Sequence, residues 1–208
     1  MKAEERIRNS MPGSRVQEVG ETVGVDDHRL IAECLSGRSA AFGELIGQYQ
    51  DRLYNTVYRL VGNAEDAQDV VQEAFLNAYQ SLASFKGDSQ FFTWLYRIAY
   101  NTAVSLKRKR RVTLSLSVGH GGGASHEPLD ESDLTRPGQG LERVEEERRI
   151  QAALNRLSPE HRMVLILKDM EGQKYEAMAE ILQVPIGTIR SRLHRARAEL
   201  RAILQQEA

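Results

Sequence analysis

Apolar residues recur every three or four positions through most of this 208-residue chain, and this period constrains its fold more than any other feature. A period near 3.6 residues places apolar side chains on one face of an α-helix. Two successive stripes follow it: Phe42, Leu45, Ile46, Tyr49, Leu53, Val57 and Leu60, then Ala67, Val70, Val71, Ala74, Phe75, Ala78 and Leu82. Gly62-Asn63 separates the stripes, and residues 85–89 form a loop before a third helix from Phe91 through Leu106. We therefore predict an all-α fold.

A stretch rich in glycine and serine divides the chain. Residues 113–141 contain two prolines and too few apolar residues to build a core, which is typical of a flexible linker. The predicted organisation is a mobile N-terminal tail over residues 1–27, a helical domain over 28–112, an acidic linker over 113–141 and a second helical domain over 142–208. Ser158-Pro159-Glu160 supplies a cap and a first-turn proline for a helix in the second domain.

Residues 175–200 have the pattern of a helix-turn-helix. This motif needs a small residue in its first helix, a turn, and apolar residues that anchor the second helix. Ala179 is the small residue, Pro185 sets the start of the second helix, and Ile189 and Leu193 lie four apart on its buried side. Gln183 stands where this turn usually has glycine, and a left-handed backbone there costs about 1 kcal/mol.

Arginines on the second helix of this motif favour DNA binding. Gly187 lets the backbone approach phosphates, Thr188 offers them a hydroxyl, and an arginine fork matches guanine in the major groove. The alternative is an amphipathic helix whose arginines are only solvated. Because the turn, the small residue and the arginines coincide, we favour DNA binding.

The formal net charge of −1 hides a separation of charge along the chain. Basic residues cluster at Lys107 to Arg111 and on the last helix, whereas Asp66, Asp69 and Glu73 share one helical face. Separate acidic and basic surfaces suggest at least two kinds of partner.

Several classes of function are disfavoured. No run approaches about 18 apolar residues, and the N-terminus lacks the apolar core of a signal peptide, so we expect a cytoplasmic protein without membrane insertion. Cys34 is the single cysteine, which excludes an internal disulfide and a cysteine-built zinc site. His120 and His126 in the linker would leave a metal incompletely coordinated. We expect no metal, no cofactor, no small-molecule substrate and no enzymatic activity.

Three segments, in order, resemble the extracytoplasmic-function sigma factors. They are AEDAQDVVQEAFLNAYQSL, SFKGDSQFFTWLYRIAYNTA and VPIGTIRSRLHRAR. The resemblance covers about residues 28–112 and 142–204, and it departs from the family at Ser105, where aspartate is common. It implies a non-enzymatic factor that joins core RNA polymerase to promoters and helps to melt them, in a stress or envelope response.

The resemblance also implies partners. These are the clamp helices and flap of core RNA polymerase, the minus-ten promoter element for residues 28–112, the minus-thirty-five element for residues 142–204, and an anti-sigma factor. The acidic linker, with Glu127, Asp130, Glu131 and Asp133, resembles a strand that passes through the polymerase cleft.

Site residues are carried over position by position. Those that would meet the polymerase clamp are Asp66, Asp69, Gln72 and Glu73. Those for minus-ten DNA are Phe85, Lys86, Gly87, Asp88, Ser89 and Asn101 around a flipped base, with Lys107 and Arg108 on phosphates. Those for minus-thirty-five DNA are Tyr175, Glu176 and Thr188 on the backbone, and Arg190, Ser191, Arg192, His194 and Arg195 on the reading helix.

One alternative function remains open. An ordinary helix-turn-helix regulator that binds an operator as a dimer would explain residues 175–200, but it gives no purpose to residues 85–103 or to the acidic face. The side chains of Phe92, Trp94 and Ile98 are interpreted as plain core from their period.

Overall fold

Four helices build the first of two units in this computed structural model, which describes residues 23–116 and 139–206. They are α1 (Val23–Leu35), α2 (Ala40–Val61), α3 (Ala64–Ser81) and α4 (Phe91–Leu116). A short 3₁₀ turn, Leu82–Ser84, follows α3 and leads into the loop before α4. Every regular element within the described ranges is helical, as predicted.

The predicted apolar stripes form the core of the first unit. Leu45, Leu53 and Val70 are almost completely buried where α2 and α3 pack together. Gly62 ends α2 in the left-handed conformation with φ +92°, which glycine adopts without a steric penalty. The Asn63 side chain then caps α3 by accepting a hydrogen bond from the Asp66 backbone N–H at 2.8 Å. The sequence pattern thus explains both helices and the break between them.

Aromatic side chains of α4 complete this core. Phe92 and Trp94 are buried, which confirms their interpretation as core, whereas Ile98 is half-buried. The Tyr96 hydroxyl lies 2.7 Å from the Thr56 hydroxyl, so its polar atom is satisfied inside the core. The start of α4 is therefore held rigidly against α2.

Within residues 139–206, the second unit also has four helices. They are α5 (Gln139–Arg156), α6 (Pro159–Leu165), α7 (Tyr175–Leu182) and α8 (Ile186–Gln206), with a π-helical turn, Ile166–Met170, after α6. The Ser158 hydroxyl accepts a hydrogen bond from the His161 backbone N–H at 3.2 Å, and Pro159 occupies the first turn. This confirms the predicted cap.

A buried arginine joins two of these helices. Arg162 on α6 is 4% exposed and donates a hydrogen bond to the Asn155 carbonyl at 2.8 Å, and it also approaches the Leu157 carbonyl. These carbonyls lie at the C-terminal end of α5, where the helix dipole favours a positive charge. Burial lowers the pKa of Arg162 to about 10, so the side chain stays charged at neutral pH.

The helices extend beyond the predicted domain boundaries. α1 begins at Val23, inside the predicted tail, and its Asp27 is only 4% exposed. α4 continues to Leu116 and α5 begins at Gln139, so both ends of the predicted linker are helical. Once the apolar turns of a helix have formed, polar residues at its ends can extend it. These end residues have no apolar period, so the sequence pattern did not predict them as helical. The rest of the tail and linker, with His120, His126 and the acidic linker residues, lies outside the described residues.

No helix within residues 23–116 or 139–206 is long and apolar enough to span a membrane.

Candidate nucleic-acid interface

A pocket of about 360 Å³ opens between the first turn of α1 and the loop before α4. It is lined by Asp27, His28, Phe85, Gly87, Asp88, Ser89, Gln90 and Phe91. Gly87 adopts φ +77°, and a Cβ there would lie 3.2 Å from His28 Cε1. Both observations favour glycine at this position, because the backbone is left-handed and the space beside it is tight.

Phe85 belongs both to the core and to this pocket. It is half-buried, and its ring centroid lies 5.8 Å from Phe91 and 5.3 Å from Trp94. His28 lies on another side, with ring centroids 6.5 Å apart and planes 27° from parallel. The pocket therefore has aromatic walls to which a planar base can stack.

Asp27 brings a carboxylate to the same pocket. Its Oδ2 accepts a hydrogen bond from the Tyr49 hydroxyl at 2.6 Å, while its Oδ1 is buried with no hydrogen-bond partner in the structure. Burial raises the pKa of Asp27, and the hydrogen bond from Tyr49 opposes part of this rise. Neither Asp27 nor His28 was predicted as a site residue, because the contact between α1 and the loop is tertiary. The only local signal in the sequence was Asp26-Asp27-His28, just before the apolar residues Leu30 and Ile31.

The other predicted minus-ten residues are placed differently. Lys86 is exposed beside the pocket, and Arg108 is exposed on α4. Asn101 does not line the pocket, since it lies ten residues after Phe91, about 15 Å along α4. The Lys107 ammonium donates a hydrogen bond to the Leu60 carbonyl at 3.3 Å, near the C-terminal end of α2. Asn101 thus lies along α4 from the pocket and Lys107 has a partner on α2, and the contacts of both residues with minus-ten DNA stay predictions.

An exposed acidic face runs along α3. Asp69, Gln72 and Glu73 are exposed, and Leu76 and Tyr79, 56% and 45% exposed, continue this face at helical spacing. We call these five residues the α3 surface. Exposed apolar side chains beside charges are typical of a surface that binds another protein. Leu76 and Tyr79 were not predicted as site residues, although both follow Gln72 at helical spacing in the sequence.

Asp66 does not belong to the α3 surface. It is 6% exposed, and its Oδ2 accepts a hydrogen bond from the Asn63 side-chain amide at 2.8 Å. The expectation that its carboxylate lies on the unburied face is wrong. An aspartate in the first turn is favoured by the helix dipole, and here it completes the cap of α3.

The helix-turn-helix is formed by α7, a turn and α8. Gln183 in the turn adopts φ +52°, as the departure from glycine in the sequence suggested. The left-handed conformation costs a residue with a Cβ about 1 kcal/mol or more. The Pro185 carbonyl then accepts hydrogen bonds from the Thr188 and Ile189 backbone N–H groups at 2.8 and 3.2 Å, so α8 starts directly after the turn.

The buried and the exposed sides of α8 are the predicted ones. Ile189 and Leu193 are buried. The exposed residues among the predicted readers are Arg190, Ser191, His194 and Arg195, while Arg192 and Thr188 are half-buried. The Ser191 hydroxyl donates to the Thr188 carbonyl at 3.0 Å within the helix. Four neighbouring polar side chains are thus accessible to a partner.

Tyr175 connects α7 to this face. It is half-buried, with Lys168 Nζ 4.9 Å and Arg190 Cζ 5.8 Å from its ring centroid, while the adjacent Glu176 is exposed. Arg190, His194 and Arg201 line a concave surface with Tyr175. Arg197 there pairs with Asp169, with Nε 3.1 Å from Oδ2, so its charge is already compensated inside the unit. This concave surface is basic, which suits phosphate.

Comparison with known proteins agrees with this arrangement. The Sigma-70 region 2 family matches residues 45–113, and the Sigma-70, region 4 family matches residues 147–200. The chain is 37% identical to the RNA polymerase sigma-H factor of Pseudomonas aeruginosa, over 86% of this chain and 94% of that protein. It is 39% identical to the ECF RNA polymerase sigma-E factor of Escherichia coli K12, over 82% and 90%.

A solved structure has the same fold. It is the sigma factor RpoE in complex with the anti-sigma factor NepR from Bartonella quintana, with a TM-score of 0.64 and 28% identity over 79% of this chain and 96% of that chain. The match with two curated relatives spans nearly their whole length at well above 30% identity. This chain therefore belongs to the extracytoplasmic-function family of RNA polymerase sigma factors.

Proposed function

We propose that the chain binds core RNA polymerase in the cytoplasm, directs it to specific promoters and promotes the melting of their DNA. The observation that carries this proposal is the order of two family modules, region 2 and then region 4, on two separate helical units. Bond formation belongs to the polymerase, and the chain itself is not an enzyme. An operator-binding regulator would need only the second module.

Each surface has a role in this proposal. Residues 28–112 act as region 2, in which the α3 surface meets the polymerase clamp helices and the pocket at Phe85 receives a base extruded from the minus-ten element. Residues 142–208 act as region 4, which meets the polymerase flap and reads the minus-thirty-five element with α8. The exposed carboxylates of α3 and the exposed arginines of α8 have the opposite charges that two different partners require.

Melting needs the pocket because an extruded base loses its stacking. Unstacking costs a few kcal/mol, and an aromatic contact to a base restores about 1–3 kcal/mol. Phe85 is suited to this contact since Phe91 and Trp94 support its ring from behind. Lys86 and Arg108, both exposed, add attraction to phosphates.

An anti-sigma factor is the proposed regulator. The similar Bartonella quintana protein was solved in complex with one. Such a partner would hold this chain away from the polymerase until a stress or envelope signal releases it.

The direct test is transcription in vitro with core polymerase on a library of promoters, read by sequencing the transcript starts. We expect starts at a defined subset of promoters only when both the chain and core polymerase are present. Tight binding of the chain alone to duplex DNA, with no effect on the polymerase, would instead support the dimeric regulator.

Replacing Arg195 by alanine is expected to relax base preference at one position of the minus-thirty-five element. An arginine that forks onto guanine contributes about 1–3 kcal/mol of discrimination. The measurement is binding of the holoenzyme to all single-base variants of a responsive promoter at two salt concentrations.

Arg201→Ala is the comparison for this prediction, because Arg201 lies farther along α8, on the basic concave surface. Its loss should weaken all variants alike and reduce the salt dependence by about one unit. A uniform loss for Arg195→Ala would make Arg195 a backbone contact.

Phe85→Leu is expected to leave closed promoter binding nearly unchanged and to reduce promoter opening about tenfold, the lower half of the range for one stacking contact. Leucine keeps apolar contact with Phe91 and Trp94 but lacks the flat face that stacks on a base. Permanganate reactivity of thymines in the melted region measures the opening.

The matched control is Phe75→Leu, which removes a ring from the same unit at a buried position on α3. It should lower thermal stability and still permit opening. Equal thymine reactivity in Phe85→Leu and wild-type complexes would show that Phe85 serves only the core.

A further inference from the structure

One face of α8 carries a row of arginines and a histidine. The row is Arg190, His194, Arg197 and Arg201, whose spacing of four, three and four residues places them on the same side of the helix. All four line the concave surface at Tyr175. The row begins with two predicted readers of promoter bases, and Arg197 lies one helical turn beyond the second of them. A positive charge at this position would therefore lie close to the phosphates beside the bases that α8 contacts.

A carboxylate engages Arg197 on this face. The Arg197 Nε donates a hydrogen bond to Asp169 Oδ2 at 3.1 Å, and its Nη2 group donates a second one to Oδ1. Two parallel hydrogen bonds are the preferred geometry for a guanidinium and a carboxylate. The side chains of Arg197 and Asp169 are 38% and 26% exposed, so the pair remains accessible to solvent. Arg197 thus brings to the concave surface a positive charge together with the negative charge that cancels it.

Asp169 belongs to a different element from Arg197. It lies in the π-helical turn Ile166–Met170, which follows α6. The preceding residue, Lys168, also points its charge toward this region, with its Nζ 4.9 Å from the centroid of the Tyr175 ring. Turns of this kind are rare in proteins and are frequent at functional sites. The turn therefore supplies the concave surface with one cation and one anion from outside α8.

The position of α8 does not require the ion pair. Ile189, Leu193 and Leu200 are buried and hold the helix in the unit. A partly exposed ion pair adds little stability to such a core. An ionised aspartate beside a DNA-binding helix also opposes phosphate, because each cation that neutralises a phosphate releases counterions and raises the affinity for DNA of any sequence. By cancelling one cation, Asp169 removes about one such contact.

We propose that Asp169 lowers the affinity of the chain for DNA of unrelated sequence, by holding Arg197 in an ion pair and away from phosphates. Arg190 and Arg195, the reading arginines, lie outside the pair, so base recognition is retained while attraction to any phosphate is reduced. Non-specific sites greatly outnumber promoters, and weaker attraction to them leaves more of the chain available for its promoters. This inference rests on the proposed function only where it takes α8 to be the helix that contacts DNA.

The first variant is Asp169→Asn in the full chain. Asparagine has nearly the same shape, and its carbonyl oxygen can still accept a hydrogen bond from Arg197, but the negative charge is gone. Weak binding to a short duplex of unrelated sequence is measured by fluorescence anisotropy between about 50 and 200 mM salt. We expect the affinity to rise about fivefold at the lowest salt, and the slope of log affinity against log salt to steepen by about one unit, the contribution of one phosphate contact.

The double variant Asp169→Asn with Arg197→Gln identifies the cation that is responsible. It removes both charges of the pair, so the affinity and the slope should return to those of the wild-type chain. If Arg197 already contacts phosphate in the wild-type chain, Asp169→Asn should leave the slope unchanged and the double variant should flatten it by about one unit. That result would overturn the proposal.

Glu160→Gln is the matched control for net charge. Glu160 is an exposed carboxylate in the first turn of α6 that does not line the concave surface, and its replacement changes the net charge by the same amount. We expect the wild-type slope for this variant. An equally steep slope for Glu160→Gln and Asp169→Asn would mean that net charge, and not the ion pair, sets the affinity for DNA.

Measurements on the holoenzyme separate this role from mechanical support of α8. Asp169→Asn should keep the wild-type base preferences at every minus-thirty-five position and should unfold at nearly the wild-type temperature. Lost preferences, lower affinity for all DNA or a large loss of thermal stability would make Asp169 a support for the reading helix and would overturn the proposal. Transcription by the wild-type chain with core polymerase is scored separately. Its absence would refute the proposed function, whereas an unchanged slope for Asp169→Asn would refute this inference alone.

Discussion

Replacing Asp69 and Glu73 together by lysine is expected to abolish binding of the chain to core RNA polymerase while leaving its helicity unchanged. Both carboxylates are exposed on the α3 surface, beside the exposed Leu76 and Tyr79, so their reversal disturbs no buried contact. Charges that face each other with the same sign across an interface cost several kcal/mol. A pull-down with core polymerase measures the loss, and circular dichroism measures the helicity.

The double reversal of Glu44 and Asp51 is the matched control. Both residues are exposed carboxylates on α2, so the change in net charge is identical. We expect this control to retain most of its affinity for the polymerase. If the Asp69 and Glu73 variant also retained wild-type affinity, the α3 surface would not be the interface. Asp66 is left unchanged because it is buried in the cap of α3, and its reversal would confuse binding with folding.

Arg162→Ala is expected to destabilise the second unit by about 3 kcal/mol or more. The substitution removes a donor to the Asn155 carbonyl and the charge at the end of α5, and buried groups left unpaired cost about 1–3 kcal/mol each. For a domain of this size, 3 kcal/mol lowers Tm by more than about 10 °C. Thermal unfolding followed by circular dichroism gives the shift, and hydrogen exchange assigns it to residues 139–206.

Arg156→Ala provides the comparison for Arg162, because Arg156 is an exposed arginine on α5 whose guanidinium contacts Gln206. Its loss should change stability by no more than about 0.5 kcal/mol. Equal shifts for the two variants would mean that the burial of Arg162 contributes nothing beyond an ordinary surface arginine.

The helices and their buried faces were predictable because a 3.6-residue period is a local property of the sequence. Leu53, Val70, Ile189 and Leu193 are all buried where the period placed them. The same reasoning predicted which side of α8 is exposed, and Gln183, which stands where this turn usually has glycine, is left-handed in the structure. These features depend on residues only a few positions apart.

Contacts between distant segments were not predictable in this way. Asp66 appeared to belong to an acidic face, but its position in the first turn turned it inward to Asn63. Lys107 appeared to be one of a basic cluster, but α2 offers it the Leu60 carbonyl. Asp27 joins the pocket only because α1 packs beside a loop about sixty residues later. A helical period predicts on which face of a helix a residue lies, but not which other segment of the chain packs against that face.

The uninterrupted length of α4 fixes the distance between the pocket and Arg108 in the first unit. The pocket lies at Phe91, the first residue of α4, and the exposed Arg108 lies seventeen residues later on the same helix. At 1.5 Å per residue these points are about 26 Å apart, close to the rise of seven or eight base pairs at 3.4 Å each. One added residue would rotate Arg108 by about 100° about the helix axis relative to Phe91. Under the proposed function, the length of α4 would set the distance between the extruded base and a phosphate that Arg108 contacts, and a single insertion or deletion in α4 would change that distance.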